Sequence, residues 1–301
     1  MNFNKSCLYT ALSFAFAHSA FAGQESETMT VWSSPASAAT TTVLGQETMQ
    51  QLDKQNVAQA LSVVPGVVLQ KSGNRNEQQV KVRGFDSRQV PVYFDGVPVY
   101  IPYDGNLDLG RFLTSDIASV EVSKGYSSLL QGPNQMGGAI NITTKRPTKP
   151  VEGSIGYRQG WSRSKDNAHD MHASFGASND LGYIQLSGSQ LKQDFLGLPH
   201  GVDNPIAGSN GKMINSSADD KRGIVKLGFT PRGNDEYVLT YINQDGEKDN
   251  PPYAGASSQK SRYWQWPQYD KESYYYQGTT HLGDRFTLKS RLYRDTFENT
   301  L

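Results

Sequence analysis

Residues 116–146, DIASVEVSKGYSSLLQGPNQMGGAINITTKR, are the most informative stretch of the chain. Ile117, Val120 and Val122 suit a strand, and the run 139–143 is rich in β-branched residues, so each run predicts a short strand. Between them, residues 127–138 contain four glycines or prolines and predict a tight bend. The stretch therefore predicts two strands joined by a glycine-dense turn.

A phosphate-binding loop is the first alternative for such a turn. Residues 132–137 have the G-x-x-x-x-G spacing of a P-loop, but Gly138 and Ala139 stand where a lysine and a hydroxyl residue are needed. No side chain is therefore in place for the β- and γ-phosphates or for Mg²⁺, and no nucleotide site is predicted.

The same stretch resembles the plug-domain signature of TonB-dependent outer-membrane receptors. The matching segments are VEVSKG at 120–125 and GGAINITTKRP at 137–147, preceded in the family's order by PGV at 65–67, RGF at 83–85 and the hairpin VYFDGVP at 92–98. Tyr126 and Gln131 depart from the family's usual Pro and Tyr, which leaves the local turn in doubt and not the family. The resemblance implies a receptor that takes up a metal chelate, most commonly a ferric siderophore.

Composition is consistent with an exported β-protein. The 301 residues are 36% hydrophobic and 19% charged, with 29 glycines and a formal net charge of zero. A neutral chain gives no indication of a nucleic-acid surface. No apolar run reaches eighteen residues, which excludes a transmembrane helix, whereas barrel strands give a much weaker hydropathy signal.

The first 22 residues predict a secretory signal peptide, with Lys5 before an apolar core at 8–17 and an A-x-A site at 20–22. A short core helix is the alternative. Cys7 is the only cysteine, so the exported chain has none, and we expect no disulfide, no metal site and no cofactor.

Residues 23–42 are rich in Ser, Thr and Ala and predict a flexible segment. Within it, Glu27, Thr28, Met29, Thr30 and Val31 resemble the TonB box, which receptors present to the periplasmic TonB energy-coupling protein. Strand addition, in which an extended peptide pairs with a sheet edge, explains why such a box has modest sequence requirements. We expect TonB as a partner, and an outer-membrane location with the plug and the TonB box facing the periplasm.

Residues 43–147 predict an α+β plug domain, with a strand-like start, an amphipathic helix at 56–64 that ends at Pro65, and the motif strands. By position in the family, the loops 71–76 and 100–106 point toward the ligand. The side chains there best suited to an anionic or aromatic chelate are Arg75, Tyr100, Tyr103 and Asp104. The alternative for each is an ordinary solvated loop residue.

Two plug cations, Arg83 and Lys124, occupy motif strands that the family buries against the barrel. The resemblance implies that they pair with glutamates from the C-terminal half of a full barrel. Such partners are required because a buried unpaired cation costs several kcal/mol.

Residues 148–301 alternate with period 2 and predict an incomplete antiparallel transmembrane β-barrel of about seven strands, at 153–159, 170–177, 181–191, 222–231, 236–243, 273–282 and 285–294. Short turns are predicted at 178–180, 232–235 and 283–284, and long loops at 160–169, 192–221 and 244–272. A soluble β-sandwich is the alternative. The aromatic residues at 263, 264, 266 and 274–276 fit either an interfacial girdle or a ligand-facing loop.

No catalytic set is found, and we predict no enzyme. His169 and His172 lie three apart on a predicted strand and point to opposite faces, so they do not suit a shared metal. Barrels with a plugged lumen have about 22 strands. The chain is therefore expected to be the N-terminal part of a mainly β receptor that does not transport by itself. The alternatives are a nonfunctional or binding-only exported plug fragment, or a receptor for cobalamin, haem or another chelate.

Overall fold

The computed structural model describes residues 41–72, 77–99, 101, 105–125, 134–163, 165–232, 234–253, 261–283 and 285–301. The described chain is mainly β, with a small α+β domain followed by a large antiparallel sheet. None of its described helices is both long and apolar enough to cross a membrane.

The N-terminal domain, called the plug below, is built on a five-stranded sheet with the order β1-β6-β7-β4-β5. Strands β4 and β7 are parallel, and the other neighbours are antiparallel. A separate hairpin joins β2 to β3. The plug elements are β1 Thr41–Gly45, α1 Gln46–Gln51, α2 Val57–Leu61, β2 Val67–Ser72, β3 Glu77–Val82, β4 Val92–Phe94, β5 Val97–Val99, β6 Ile117–Lys124 and β7 Gly138–Thr144.

The predicted helix is confirmed as α2. The side chain of Asn56 caps its N-terminus by accepting a hydrogen bond of 2.9 Å from the backbone N–H of Gln59. The apolar residues of its sequence pattern are buried, and the chain leaves the helix before Pro65. Helix α1 was not predicted, because Gly45 provides no side-chain cap and Met49 is the one buried residue on it.

The predicted Asp95-Gly96 turn joins β4 to β5. Both residues have positive φ, 50° and 75°, as a two-residue hairpin turn requires. The turn places the Asp95 carboxylate beside the end of β7, where it accepts hydrogen bonds from the backbone N–H and the hydroxyl of Thr144 at 2.8 and 2.6 Å. This arrangement fixes the orientation of the carboxylate in the plug.

The C-terminal sheet, called the wall below, has seven long strands that pair in chain order, with β8 and β17 at its open edges. This confirms the predicted antiparallel strands. They are β8 Val151–Ser162, β9 Lys165–Asn179, β10 Gly182–Gln193, β13 Ala218–Arg232, β14 Asp235–Asp249, β16 Gln268–Leu282 and β17 Phe286–Thr300. The shorter β11 Gly208–Ser209, β12 Lys212–Met213 and β15 Gln265–Trp266 lie in the connections.

The predicted loop at 160–169 is wrong, because β8 continues to Ser162 and β9 begins at Lys165. The connections 194–217 and 250–267 are long, as predicted. Each is shorter than its predicted loop, because the flanking strands extend further at both ends. Period-2 hydropathy fades where a strand passes from an apolar environment into a polar one, while its backbone ladder continues. The rim with these two connections is called the long-loop rim, and the rim with turns near 180, 233 and 284 the short-turn rim.

The hydrophobic core lies in the plug and extends to the wall, where it includes Ile224, Ile242 and Trp266. Alternation along β16 separates the aromatic residues that the sequence left undecided. Tyr275 faces the plug and is buried, whereas Tyr274 lies on the outer face and is half exposed.

Candidate functional site

Most of the predicted site residues lie outside the described part of the chain. These are the TonB-box residues Glu27, Thr28, Met29, Thr30 and Val31, and the loop residues Arg75, Tyr100, Tyr103 and Asp104. The predicted signal peptide at 1–22 also lies outside it. Their roles stay predictions.

Arg83 and Lys124 lie side by side in the plug. Arg83 is exposed, and its Nη1 donates to the carbonyl of Lys124 at 3.4 Å. Lys124 is half-buried and donates to the hydroxyl of Thr42 at 2.9 Å and to the carbonyl of Pro65 at 3.1 Å. These contacts are within the plug, and the proposed pairing with barrel glutamates stays a prediction.

The structure instead shows a buried interface between plug carboxylates and wall cations. Inward residues of β13 are buried, whereas Val225, Leu227 and Phe229 point outward and are exposed. The alternation predicted for this strand is therefore correct, but its polar face is covered by the plug and does not face water.

The first buried pair joins Asp95 to Lys226. The Lys226 ammonium lies 3.0 Å from Asp95 Oδ2 and also donates to the hydroxyl of Thr144. Two further wall residues hold the same turn, since Gln277 donates to the carbonyl of Asp95 and Arg291 to that of Gly96. The plug hairpin is thus attached to three wall strands.

The second pair joins Asp116 to Arg222. The guanidinium holds the carboxylate through two hydrogen bonds, one of them 2.7 Å from Nε to Oδ2, and also donates to the carbonyl of Leu113. It lies 5.7 Å from the ring centre of Phe94. A bidentate guanidinium–carboxylate contact fixes orientation as well as distance.

The third contact is a network of four charges near the long-loop rim. Asp108 accepts from the Lys248 ammonium and from the backbone N–H groups of Gln78 and Gly110. Arg111 Nε lies 3.6 Å from Asp220 Oδ1, and the guanidinium stacks 3.9 Å above the Tyr269 ring.

Gly246 makes this network sterically possible. A Cβ at this position of β14 would lie 2.6 Å from Asp220 Oδ1 and 2.8 Å from Arg111 Nη1. The absence of a side chain here lets a buried arginine lie flat against the wall.

Burial also affects titratable groups of the plug. It lowers the pKa of Lys145, which the carboxylates of Asp116 and Glu152 partly offset. It raises the pKa of Glu121 on β6. Among the described residues no cluster of His, Cys, Asp or Glu has the arrangement of a metal site.

The functional residues Asp95, Asp116, Arg222 and Lys226 were not predicted from the sequence. In the sequence, Asp95 belongs to the hairpin motif at 92–98 and Lys226 to the predicted strand 222–231, and neither was given a functional role. The detectable signal was the placement of two cations at inward positions of a strand whose other face is apolar.

Comparisons with known proteins agree with this architecture. Residues 35–139 match the family model described as the TonB-dependent Receptor Plug Domain. Over 171 residues, 55% of this chain and 28% of the relative, the chain is 26% identical to the vitamin B12 transporter BtuB of Vibrio vulnificus.

Two receptors are among the solved structures that share the fold. The siderophore receptor PirA from Acinetobacter baumannii has a TM-score of 0.66 and 18% identity, over 85% of this chain and 39% of that one. The ferric yersiniabactin uptake receptor FyuA from Yersinia pestis has a TM-score of 0.63 and 21% identity, over 86% of this chain and 41% of that one. The chain thus spans less than half of these relatives.

The matched motifs, the family model and the shared fold lead to one conclusion. Residues 35–139 match the plug domain of TonB-dependent receptors, and plug and wall together share the fold of solved receptors of this kind.

Proposed function

We propose that this protein acts in the outer membrane as a TonB-dependent receptor that imports a metal chelate, with a ferric siderophore as the leading cargo. The observation that carries the proposal is the closed interface between plug and wall, in which buried aspartates of the plug meet buried cations of the wall. The opposite face of the wall exposes apolar side chains suited to lipid. A plug held inside such a wall acts as a gate.

In this proposal residues 1–22 direct export, residues 27–31 bind TonB, residues 43–147 form the plug and residues 148–301 contribute barrel strands. The short-turn rim faces the periplasm and the long-loop rim faces the exterior, as is usual for bacterial outer-membrane barrels. Force applied at the TonB box then reaches the plug through its N-terminal strand β1, which pairs with β6.

Uptake measurements test the proposal directly. The protein is expressed from its own gene in an iron-starved strain that lacks other siderophore receptors, with and without functional TonB. We expect the protein in the outer-membrane fraction and TonB-dependent uptake of radioactive iron supplied as hydroxycarboxylate, trihydroxamate or tris-catecholate complexes. Uptake of labelled cobalamin or haem instead of iron would select the alternative cargo, and no uptake of any of them would contradict the transport proposal.

The TonB box has its own test. A cysteine at position 29 (Met29→Cys) is expected to crosslink to a cysteine in TonB, because strand addition brings the two backbones together. Absence of a crosslink in a protein that transports would rule out residues 27–31 as the contact.

The open wall favours a second candidate function for these 301 residues in isolation, a binding-only exported fragment. The edges β8 and β17 present unpaired backbone groups that a lipid environment does not satisfy. Further strands are therefore needed for transport, whatever their source. We expect the 301 residues alone to give no heat-modifiable band and no uptake, and a stable heat-modifiable band would contradict this.

A further inference from the structure

Three wall cations stand at regular steps along two neighbouring strands. Lys226 and Arg222 are inward residues four positions apart on β13, and Lys248 on β14 pairs across from Ala218, four positions further. At about 3.3 Å per residue, the steps are about 13 Å each. The line runs from near the long-loop rim toward the short-turn rim.

The wall itself offers little negative charge to these cations. Beside Arg222 the paired inward residues are Ser189 and Gln244, and beside Lys226 they are Gln185 and Thr240. The inward carboxylate on β13 is Asp220, which lies against Arg111 of the plug. Each of the three cations therefore has a plug aspartate within ion-pair distance, and Asp220 is the one wall carboxylate on this face of β13, between Arg222 and Lys248.

Those aspartates are fixed to the plug. Thr144 donates a backbone hydrogen bond to the Asp95 carboxylate, and the backbone N–H groups of residues 78 and 110 donate to the Asp108 carboxylate. The backbone carbonyl of Asp116 accepts from Lys145 N–H at 3.0 Å. The cations sit on β13 and β14, and each of these strands is paired with a neighbouring strand on both sides. When the plug moves, the carboxylates leave with it and the cations stay.

We propose, on the basis of the proposed function, that Lys248, Arg222 and Lys226 form an anion-conducting line in the opened receptor and that its cargo is a chelate of net negative charge. In the closed state the plug aspartates neutralise the line, as buried charges require. In the open state the line attracts an anionic chelate and guides it toward the short-turn rim. A cationic surface in a confined passage concentrates anions and speeds their entry.

Uptake of chelates of different charge tests this line. Iron is supplied to the wild-type protein as anionic ferric citrate, as an anionic tris-catecholate or as a neutral trihydroxamate complex. We expect TonB-dependent uptake of an anionic complex. Uptake restricted to the neutral complex would overturn the inference while supporting the proposed function, whereas no uptake of any complex would contradict the function itself.

A double variant then tests the residues. In Asp95→Asn/Lys226→Met both partners lose their charge, so the plug docks without a buried unpaired ion. We expect the maximal uptake rate of the anionic complex to fall roughly threefold to tenfold, with unchanged binding of the complex to whole cells.

The matched control is Asp219→Asn/Lys221→Met. It also removes one carboxylate and one lysine, but both lie on β13, and this pair, 3.7 Å apart, is on the outer face of the wall. Equal uptake rates in the double variant, the control and the wild type would overturn the inference. Circular dichroism and outer-membrane abundance verify that all three proteins fold.

Discussion

The carboxylate of Asp95 in the plug hairpin and the ammonium of Lys226 on the wall lie 3.0 Å apart, with side chains only 4% and 3% exposed. The pair connects the two-residue hairpin turn of the plug to the middle of a wall strand. Because neither charge reaches bulk water, each depends on the other and on Thr144 for solvation.

Breaking this pair is expected to loosen the plug. Asp95→Asn keeps a residue that tolerates the positive φ of the turn but leaves Lys226 as a buried unpaired cation, which costs about 3–5 kcal/mol. Urea unfolding in detergent micelles, followed by tryptophan fluorescence, measures the decrease in the free energy of unfolding. Buried Trp266 belongs to the core shared by plug and wall and reports on it.

Lys221→Met is the control, because this lysine is 58% exposed on the same strand. We expect its effect to stay below about 1 kcal/mol. The double variant Asp95→Asn/Lys226→Met is expected to recover most of the lost stability. A double variant as unstable as Asp95→Asn would show that the turn, and not the charge pair, is the stabilising element.

Gly138 at the start of β7 is expected to tolerate no side chain. Its φ is +121°, and a Cβ would lie 1.9 Å from the backbone carbonyl oxygen of Ser123. Gly138→Ala should therefore destabilise the plug by about 2 kcal/mol or more, measured as above. Gly45→Ala is the control, since no atom lies within 4 Å of the added Cβ. Equal stability of the two variants would contradict the close approach of β6 and β7.

The outer face of the wall is expected to contact lipid. Leu239 on β14 is 55% exposed and pairs with Leu227 and Tyr276 in an outward apolar row. Leu239→Arg should cost about 2–4 kcal/mol in a bilayer and lower the amount of protein recovered in outer membranes. Glu247→Arg, on the same face near the long-loop rim, should change the amount of protein recovered in outer membranes little. Equal recovery of both variants would argue against membrane insertion of this face.

Glu121 predicts a pH dependence for plug stability. Burial raises its pKa, so the folded plug holds this proton more tightly than the unfolded chain. Protonated Glu121 thereby stabilises the folded plug. This stabilisation is fully present below the ordinary pKa of 4.5 and is lost as the pH rises through the folded-state pKa of Glu121. Glu121→Gln stays neutral, so its melting temperature should match the wild type in acid and exceed it at about pH 7.

Ser119→Ala, on the same strand, provides the non-titrating comparison. Its melting temperature should differ from the wild type by the same amount at every pH. A pH-independent difference for Glu121→Gln as well would refute the role of its ionisation.

Local patterns predicted much of the fold. The Asp95-Gly96 turn, the capped helix α2 and the alternating wall strands follow from residues close together in the chain, whose backbone preferences and side-chain periods are visible in the sequence. The predicted strand ends were less accurate, as at 160–169. Backbone pairing between strands continues beyond the point where apolar and polar side chains stop alternating.

The sequence by itself indicated the resemblance to TonB-dependent receptors, the order of plug and wall, and which wall residues share a face. Tertiary structure decided what that polar face contacts. Lys226 lies on the polar side of a strand in which apolar and polar residues alternate. This sequence pattern is the same whether the lysine faces water or a packed domain. Its partner is set by the docking of distant segments, just as Asp116 meets Arg222 across 106 residues. Such pairing depends on the relative position of whole domains, which no local pattern encodes.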